Sequence, residues 1–210
     1  MSNFKFPFFS RDITELWKKW HISMSSWFRD YLYMPILLRL RDYKMLGLIL
    51  STFLTYGIIG FWHGANYTFI FFGITQAFLF LPAIISKRKP FKTQIFRSKN
   101  MKTTIVEVIM CIKTLLLFSL SLCFFRSGSI FDAISYLLNI IKYFEAPSTH
   151  LSGLLYIFLI LILDYLLRND PRLEFNSSSK YINFIFCILG ILAVMLFAPK
   201  SSSSFIYFQF

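Results

Sequence analysis

Charged side chains are scarce in this sequence: only 15% of its 210 residues are Asp, Glu, Lys or Arg, and just 10 are acidic. Soluble domains have about a quarter charged residues, so the composition excludes an ordinary soluble domain. Cysteine is also rare, and the three cysteines lie inside apolar runs without the spacing of a disulfide framework or a metal site. We therefore interpret them as small buried apolar residues and predict no bound metal.

Apolar residues are abundant instead: 56% of the chain is hydrophobic, with 27 phenylalanines. Several apolar runs reach about the 18 residues that a bilayer span requires. We predict an all-α integral membrane protein with about five transmembrane helices, preceded by an amphipathic interfacial helix. The interfacial segment is 1–44 and the multi-span domain is 45–210. The predicted spans are 45–62, 67–85, 104–125, 151–167 and 181–198.

The formal net charge of +12 is concentrated in two clusters. Eight Lys and Arg residues precede residue 45, and seven more lie in the linker 86–102. By the positive-inside rule, both clusters are expected on the cytoplasmic side, with 126–150 outside, 170–180 inside and the tail outside. Since the basic residues form no stripe interleaved with aromatics outside these segments, we expect no nucleic-acid partner.

A period of three to four residues over 12–33 predicts one amphipathic helix, which Pro35 breaks or kinks. Asp12 and Glu15 have the spacing of an N-terminal capping pair. His21 lies eight residues after Ile13, which places it on the apolar face of this helix.

Two Trp-His pairs, Trp20-His21 and Trp62-His63, contain two of the three histidines. Histidine transfers protons near neutral pH, and an ionisable group at membrane depth is a functional candidate. A hydrogen-bonded packing role is the alternative for each, and His150 is interpreted as a surface residue. A zinc site is not expected, because no third ligand stands at a recognisable spacing.

Long motifs around both pairs resemble one family. The motifs are RDITELWKKWHIS (11–23), SSWFRDYLYMP (25–35), GFWHGANYTF (60–69), FFRS (124–127) and the terminal FIYFQF (205–210). Together they resemble the membrane-bound O-acyltransferase family, most closely its branch of alginate O-acetylation membrane proteins. The resemblance extends from near residue 4 to the C-terminus.

This resemblance implies a multi-pass protein of a bacterial cell membrane with a tunnel through the bilayer. Such a protein moves an acyl group, commonly acetyl, to hydroxyls of an exported or cell-surface polysaccharide. The implied donor is acetyl coenzyme A or another acyl thioester, with no bound cofactor. The implied partners are the lipid bilayer, the polysaccharide acceptor and an extracytoplasmic acetyltransferase- or esterase-like protein.

The resemblance also assigns residues. The family's essential histidine corresponds to His63, as general base or transient acyl acceptor, and its second motif histidine to His21. Weaker candidates for substrate or donor binding are Trp62, Asn66, Trp20, Arg29 and Lys18.

Three features depart from the family pattern. Relatives are about twice as long, so the N-terminal half of the family fold is expected to be absent here. Ile36 to Arg41 replaces a Gly-Gly-Asn turn, and Gln76 stands where histidine is frequent. Two alternatives stay open: a noncatalytic truncated membrane protein or scaffold, and D-alanyl transfer to teichoic acid.

Overall fold

The computed structural model describes residues 3–87, 101–143 and 152–167, with the single residues 184, 188 and 191. Contacts divide the chain into two units, Met1–Asp164 and Tyr165–Phe210, and the first contains most of the described residues. Every regular element within the described ranges is helical. The elements are α1 (Ile13–Lys19), α2 (Ile22–Phe28), a π-helical segment (Arg29–Tyr33), α3 (Met34–Arg39), a 3₁₀ turn (Arg41–Tyr43), α4 (Lys44–His63), α5 (Tyr67–Ile85), α6 (Met101–Arg126), α7 (Ile130–Lys142) and α8 (Ser152–Leu167).

Three of the described helices are long and apolar enough to cross a membrane: Arg41–His63, Tyr67–Ile85 and Thr104–Arg126. They contain the predicted spans 45–62, 67–85 and 104–125. The predicted span 151–167 coincides with α8, which has 16 residues. The predicted span 181–198 lies outside the described residues, apart from positions 184, 188 and 191. The predicted all-α membrane class is confirmed.

Helices α4 and α5 form an antiparallel hairpin joined by a three-residue turn, and small residues bring their backbones together. A Cβ atom on Gly60 would meet the carbonyl oxygen of Phe69, and one on Gly73 would meet that of Tyr56. Since only glycine fits at these two points, the sequence sets how closely α4 and α5 approach. Helix α6 then packs antiparallel to α5, on the side where Phe72 meets Phe125 at 5.3 Å between ring centroids.

The predicted continuous helix over 12–33 is wrong, because the chain breaks at Trp20-His21. His21 adopts φ 46° and ψ 54°, the left-handed region, and a new helix starts at Ile22. Asn3 supports the break: its backbone carbonyl accepts from the Ile22 amide at 2.9 Å and its side-chain oxygen from the Ser23 amide at 3.0 Å. These bonds satisfy amides that the start of a helix leaves free. The eight-residue spacing therefore does not determine which way His21 faces.

Pro35 neither breaks nor ends the helical path, so the predicted break is wrong, while the predicted kink stays a prediction. The preceding Tyr33 and Met34 have right-handed helical dihedrals, and Pro35 lies in the first turn of α3. Proline is tolerated there because the missing amide hydrogen has no partner in the first turn. The wider π-helical turn before it gives room for the ring. The predicted cap is confirmed, since Asp12 accepts from the Glu15 amide at 2.8 Å.

Residues 11–40, here named the re-entrant segment, lie alongside the spans. Its first half passes from the start of α6, past the middle of α6, to the end of α4. The contacts in chain order are Arg11–Glu107, Trp17–Phe118 and Phe28–Trp62. Its second half returns along α4, where Leu40 lies against Gly47 near the start of that helix. Helix α1 contacts the middle of the spans through its buried apolar face. Its predicted interfacial position stays a prediction.

Candidate active site

The two motif histidines lie within electrostatic range of each other near the end of α4. His63 is the last residue of α4, and His21 occupies the left-handed position before α2. Both side chains are half-buried, and the two imidazoles are close enough to interact electrostatically. The structure therefore places near each other two residues that are 42 positions apart in sequence.

Each of the two imidazoles has one ring nitrogen that makes no hydrogen bond within the described residues. The Nδ1 atoms of His21 and His63 are buried and have no hydrogen-bond partner in the part of the chain that the structure describes. A buried polar atom without a partner is costly, by about 1–3 kcal/mol. A neutral imidazole can both accept and donate a proton. The pair can therefore bind or deprotonate a hydroxyl that enters this position.

Aromatic rings from three helices fix the imidazole of His63. It packs edge-on against Phe125 of α6 at 5.0 Å, and Phe125 also contacts Phe69 of α5 at 4.8 Å. The adjacent Trp62 ring lies at 4.8 Å. Because α4, α5 and α6 all contribute rings, the position of His63 depends on how these three helices pack together.

The backbone of His21 is in a region that non-glycine residues seldom adopt. Its φ of 46° costs of order 1–3 kcal/mol, and such conformations cluster at functional sites. Phe4 lies 6.3 Å from the imidazole, so the N-terminal residues cover this ring from one side.

A cavity of about 340 Å³ lies between the re-entrant segment and helices α4 and α5. Its walls are mostly apolar, with hydroxyls contributed by serine, threonine and tyrosine side chains. Neither histidine lines it. The cavity nevertheless reaches Ile22, next to His21, and Ile59, one helical turn before His63. It therefore approaches the histidine pair from the inside of the helix bundle.

The two predicted cationic residues both line this cavity. Lys18 and Arg29 are exposed, and the Arg29 side chain retains 62% of its accessible surface. Arg29 pairs with Asp30 at 2.7 Å. Exposed pairs of this kind contribute little to stability, so Arg29 can exchange its partner for an anionic ligand at small cost.

The two tryptophans of the motifs differ in exposure. Trp20 is half-buried, with its ring 5.4 Å from Phe118 and 5.1 Å from Phe4. Trp62 is 52% exposed and lies 6.0 Å from Phe28. Trp20 thus packs the residues of the helix break against α6, whereas the indole ring of Trp62 stays largely exposed beside His63.

Asn66 has a structural task in the turn after His63. Its side-chain oxygen accepts from the Thr68 amide at 3.1 Å and caps α5, while its amide nitrogen donates to the Gly128 carbonyl at 3.1 Å. These bonds tie the α4–α5 turn to the connection between α6 and α7. The predicted substrate contact of Asn66 stays a prediction.

An ionic cluster missed by the sequence reasoning anchors the re-entrant segment. Arg11 is 2% exposed and bonds Glu15 at 3.0 Å and Glu107 of α6 at 3.1 Å. Lys19 also contacts Glu15, at 2.9 Å. Burial opposes ionisation of Glu15, but hydrogen bonds from Arg11 and Lys19 outweigh it and lower the pKa of Glu15. The four-residue spacing of Arg11 and Glu15 could have indicated their ion pair. No sequence pattern indicates that Glu107 joins them.

The comparisons with known proteins agree with this geometry. The family model described as "MBOAT, membrane-bound O-acyltransferase family" matches residues 3–125, which include both histidines and the cavity. The chain belongs to the membrane-bound O-acyltransferase family. The membership predicted from the Trp-His motifs is confirmed.

Three bacterial relatives show how much of this chain is similar to known proteins and at what sequence identity. A "Probable alginate O-acetylase AlgI" of Pseudomonas putida is 48% identical over 73 residues, 35% of this chain and 15% of the relative. A "Peptidoglycan O-acetyltransferase" of Helicobacter pylori is 24% identical over 99% of this chain and 42% of the relative. A "Teichoic acid D-alanyltransferase" of Streptococcus thermophilus is 38% identical over 34% of this chain and 19% of the relative.

The chain spans less than half the length of these curated relatives. The relatives are bacterial, and the described chain contains three apolar helices of spanning length. Together these findings indicate a bacterial membrane protein of the acyltransferase family.

Proposed function

We propose that the chain carries the histidine site of a membrane O-acetyltransferase that acts on an exported or cell-surface polysaccharide. The observation that carries this proposal is the proximity of His21 and His63, near a cavity with Lys18 and Arg29 in its wall. The Nδ1 atom of each histidine is buried and has no hydrogen-bond partner among the described residues. Two relatives named as O-acetylase and O-acetyltransferase support the choice of acetyl transfer.

His63 takes the role of general base. Its imidazole accepts the proton of the acceptor hydroxyl while the oxygen attacks the carbonyl carbon of the acyl thioester. The carbon–sulfur bond then breaks, and the thiolate leaves with the proton that the imidazole returns. His21 orients the acyl group or stabilises the oxyanion that forms in the intermediate.

The donor is an acyl thioester such as acetyl coenzyme A, taken up from the cytoplasmic side. Lys18 and Arg29 suit an anionic donor, because both are cationic side chains that line the cavity. The acceptor then reaches His63 from the opposite side of a multi-pass cell-membrane protein. An extracytoplasmic acetyltransferase- or esterase-like partner completes delivery to the polysaccharide.

The decisive experiment replaces His63 at the chromosomal locus of the bacterium that encodes the chain. Cell-surface polysaccharide is isolated, and its alkali-labile acetate is measured. We expect His63→Ala to reduce ester content at least tenfold, whereas Leu54→Ala, an exposed position on the same helix, leaves it unchanged. Unchanged ester content in His63→Ala, with the protein present in membranes, would contradict the catalytic assignment and favour a noncatalytic scaffold.

D-alanyl transfer is the second candidate, because the chain resembles a teichoic acid D-alanyltransferase at 38% identity over 77 residues. The same alkaline release separates the two functions, since D-alanine and acetate are distinguished by chromatography. Loss of D-alanine instead of acetate in His63→Ala would assign the second function.

A further inference from the structure

Helix α7 has three different sides, which follow from its helical period. One side packs against the other helices: Ala133 is fully buried, and Ile130 and Leu137 contact the same core. A second side is polar and exposed, with the residues Asp132, Ser135, Asn139 and Lys142. The third side lies between these two and consists of large apolar side chains spaced three and four residues apart: Phe131, Ile134, Leu138 and Ile141.

The third side, here named the apolar stripe, is exposed along its whole length. Phe131 retains 83% and Ile141 retains 80% of the accessible surface, and Ile134 and Leu138 are exposed as well. Single exposed apolar side chains are ordinary, but a continuous row of them marks a surface that interacts with a protein or a membrane. The stripe therefore requires an apolar neighbour that the described part of the chain does not supply.

The position of α7 relative to the spans indicates which neighbour this is. Helix α7 begins at Ile130, four residues after Arg126 ends a helix of spanning length. Between the two helices, the Gly128 carbonyl accepts a hydrogen bond of 3.1 Å from Asn66, in the turn that joins α4 to α5. Since α4 and α6 end and α5 begins at this level, α7 starts where the spans leave the hydrocarbon layer.

The length of α7 excludes a further crossing of the membrane. Its 13 residues extend about 20 Å, whereas the hydrocarbon core is about 30 Å thick. A helix with one polar and one apolar side at this level is typical of a segment that lies in the membrane interface. The end of α7 fits the same position, because the Lys142 ammonium lies 5.2 Å from the Tyr143 ring centroid and both residue types are frequent at membrane interfaces.

We propose that α7 lies in the membrane surface, at the end of the helix bundle that holds His63, with the apolar stripe inserted among lipid acyl chains. The neighbour of the stripe is the bilayer, and the polar side of α7 faces water. The hydrogen bond between Asn66 and Gly128 then ties the turn after His63 to a helix held at the membrane surface. This inference is independent of the proposed acyl transfer.

A photoreactive residue in the stripe identifies what contacts it. The amino acid p-benzoylphenylalanine is incorporated in place of Leu138 in the full chain, and membranes of the bacterium that encodes the chain are irradiated. We expect phospholipid adducts, detected as a mass increase of the purified protein. The matched position is Asn139, the next residue, which lies on the polar side and should give roughly tenfold less phospholipid adduct.

Thiol accessibility provides a second measurement with the same two positions. Leu138→Cys and Asn139→Cys are treated in isolated membranes with a membrane-impermeant maleimide, and the wild-type protein gives the background from its native cysteines. We expect Leu138→Cys to react roughly tenfold more slowly, because acyl chains exclude the reagent and disfavour the reactive thiolate. Both positions are exposed, so neither change removes a core contact, and equal labelling after denaturation controls for the amount of protein.

Three results would overturn the inference. Cross-linking of position 138 to a protein, whether another copy or a different chain, would make the stripe a protein interface. Phospholipid adducts no more frequent at position 138 than at position 139 would remove the lipid contact. Equally fast labelling of the two cysteine variants would place the stripe in water. Loss of acetyl transfer affects neither measurement, so a failure of the proposed function is recognised separately.

Discussion

The indole Nε1 of Trp17 donates a hydrogen bond of 3.2 Å to the side-chain oxygen of Gln76. The amide nitrogen of Gln76 in turn donates to Ser121 Oγ at 2.6 Å, and Ser121 donates to the Phe118 carbonyl at 2.6 Å. Gln76 is 0% exposed. One buried amide therefore connects α1, α5 and α6, and it holds the first half of the re-entrant segment against the spans.

Replacing Gln76 by leucine is expected to destabilise the protein by about 1–3 kcal/mol, because the indole N–H of Trp17 then stays buried without a partner. Thermal unfolding in detergent, followed by tryptophan fluorescence, measures the loss. The control is Thr75→Val at the neighbouring position, whose hydroxyl bonds only to the Phe71 carbonyl of its own helix. Equal melting temperatures for the two variants would show that the connection through Gln76 is unimportant.

The buried ion pair between Arg11 and Glu107 leads to a second prediction. Arg11→Met removes the guanidinium that joins Glu15 to Glu107, and breaking a buried pair costs about 3–5 kcal/mol. Arg41→Met is the control, because Arg41 forms an exposed pair with Asp42 at 3.7 Å. We expect a clear loss of melting temperature for the first variant and almost none for the second. A similar response of both variants would mean that Arg11 does not anchor the re-entrant segment.

Acid is expected to weaken the same cluster. The ordinary pKa of Glu15 is 4.5, and hydrogen bonds from Arg11 and Lys19 lower it in the folded protein despite burial. A lowered pKa stabilises the fold above the unfolded value, and this contribution is lost as the pH falls through the folded pKa. The melting temperature should therefore fall as the pH drops below about 4.5, the ordinary pKa of a glutamate. Glu15→Gln should reduce this acid-dependent fall; a fall as steep as in wild type would exclude Glu15 as its source.

Glycine positions in α4 provide a matched pair of variants. A Cβ on Gly60 would meet the Phe69 backbone, whereas a Cβ on Gly57 has open space around it. We expect Gly60→Ala to push α5 away and displace His63, with loss of both stability and ester formation. Gly57→Ala should be neutral or stabilising by up to about 1 kcal/mol, because alanine favours the helix. Melting temperature and surface ester content check both variants, and equal behaviour would contradict the close approach of the helices.

The sequence predicted the three described helices of spanning length, because long apolar runs and their length requirement are local properties. It also identified both histidines, since Trp20-His21 and Trp62-His63 belong to recognisable motifs. It could not predict the break at His21. A helical period continues across that position, and the break depends on hydrogen bonds from Asn3, which no local pattern reveals.

Tertiary contacts also explain why parts of the site were missed. The ion pair between Arg11 and Glu107 was missed because the two residues are far apart in sequence and meet only in the folded chain. The hydrogen bond of Asn66 to the Gly128 carbonyl likewise depends on the packed helices, and the predicted substrate contact of Asn66 stays a prediction.

The left-handed backbone of His21 allows the structural role of this residue and the chemical role of its imidazole to be tested separately. Asparagine tolerates this conformation and has no imidazole, whereas valine is strained there because of its branched Cβ. We expect His21→Asn to keep the wild-type melting temperature and to lower ester formation. His21→Val should lower both, with a stability loss of order 1–3 kcal/mol.

The comparison of these two variants decides the role of His21. If only the backbone shape matters, His21→Asn retains full ester formation, and His21→Gly does so as well. If the imidazole supports His63, both variants lose activity while they remain folded, because the unpartnered Nδ1 beside His63 is gone. Surface ester content, measured beside the melting temperature of each purified variant, distinguishes the two outcomes. Full ester content in a folded His21→Asn protein would leave His63 as the sole catalytic histidine of the pair.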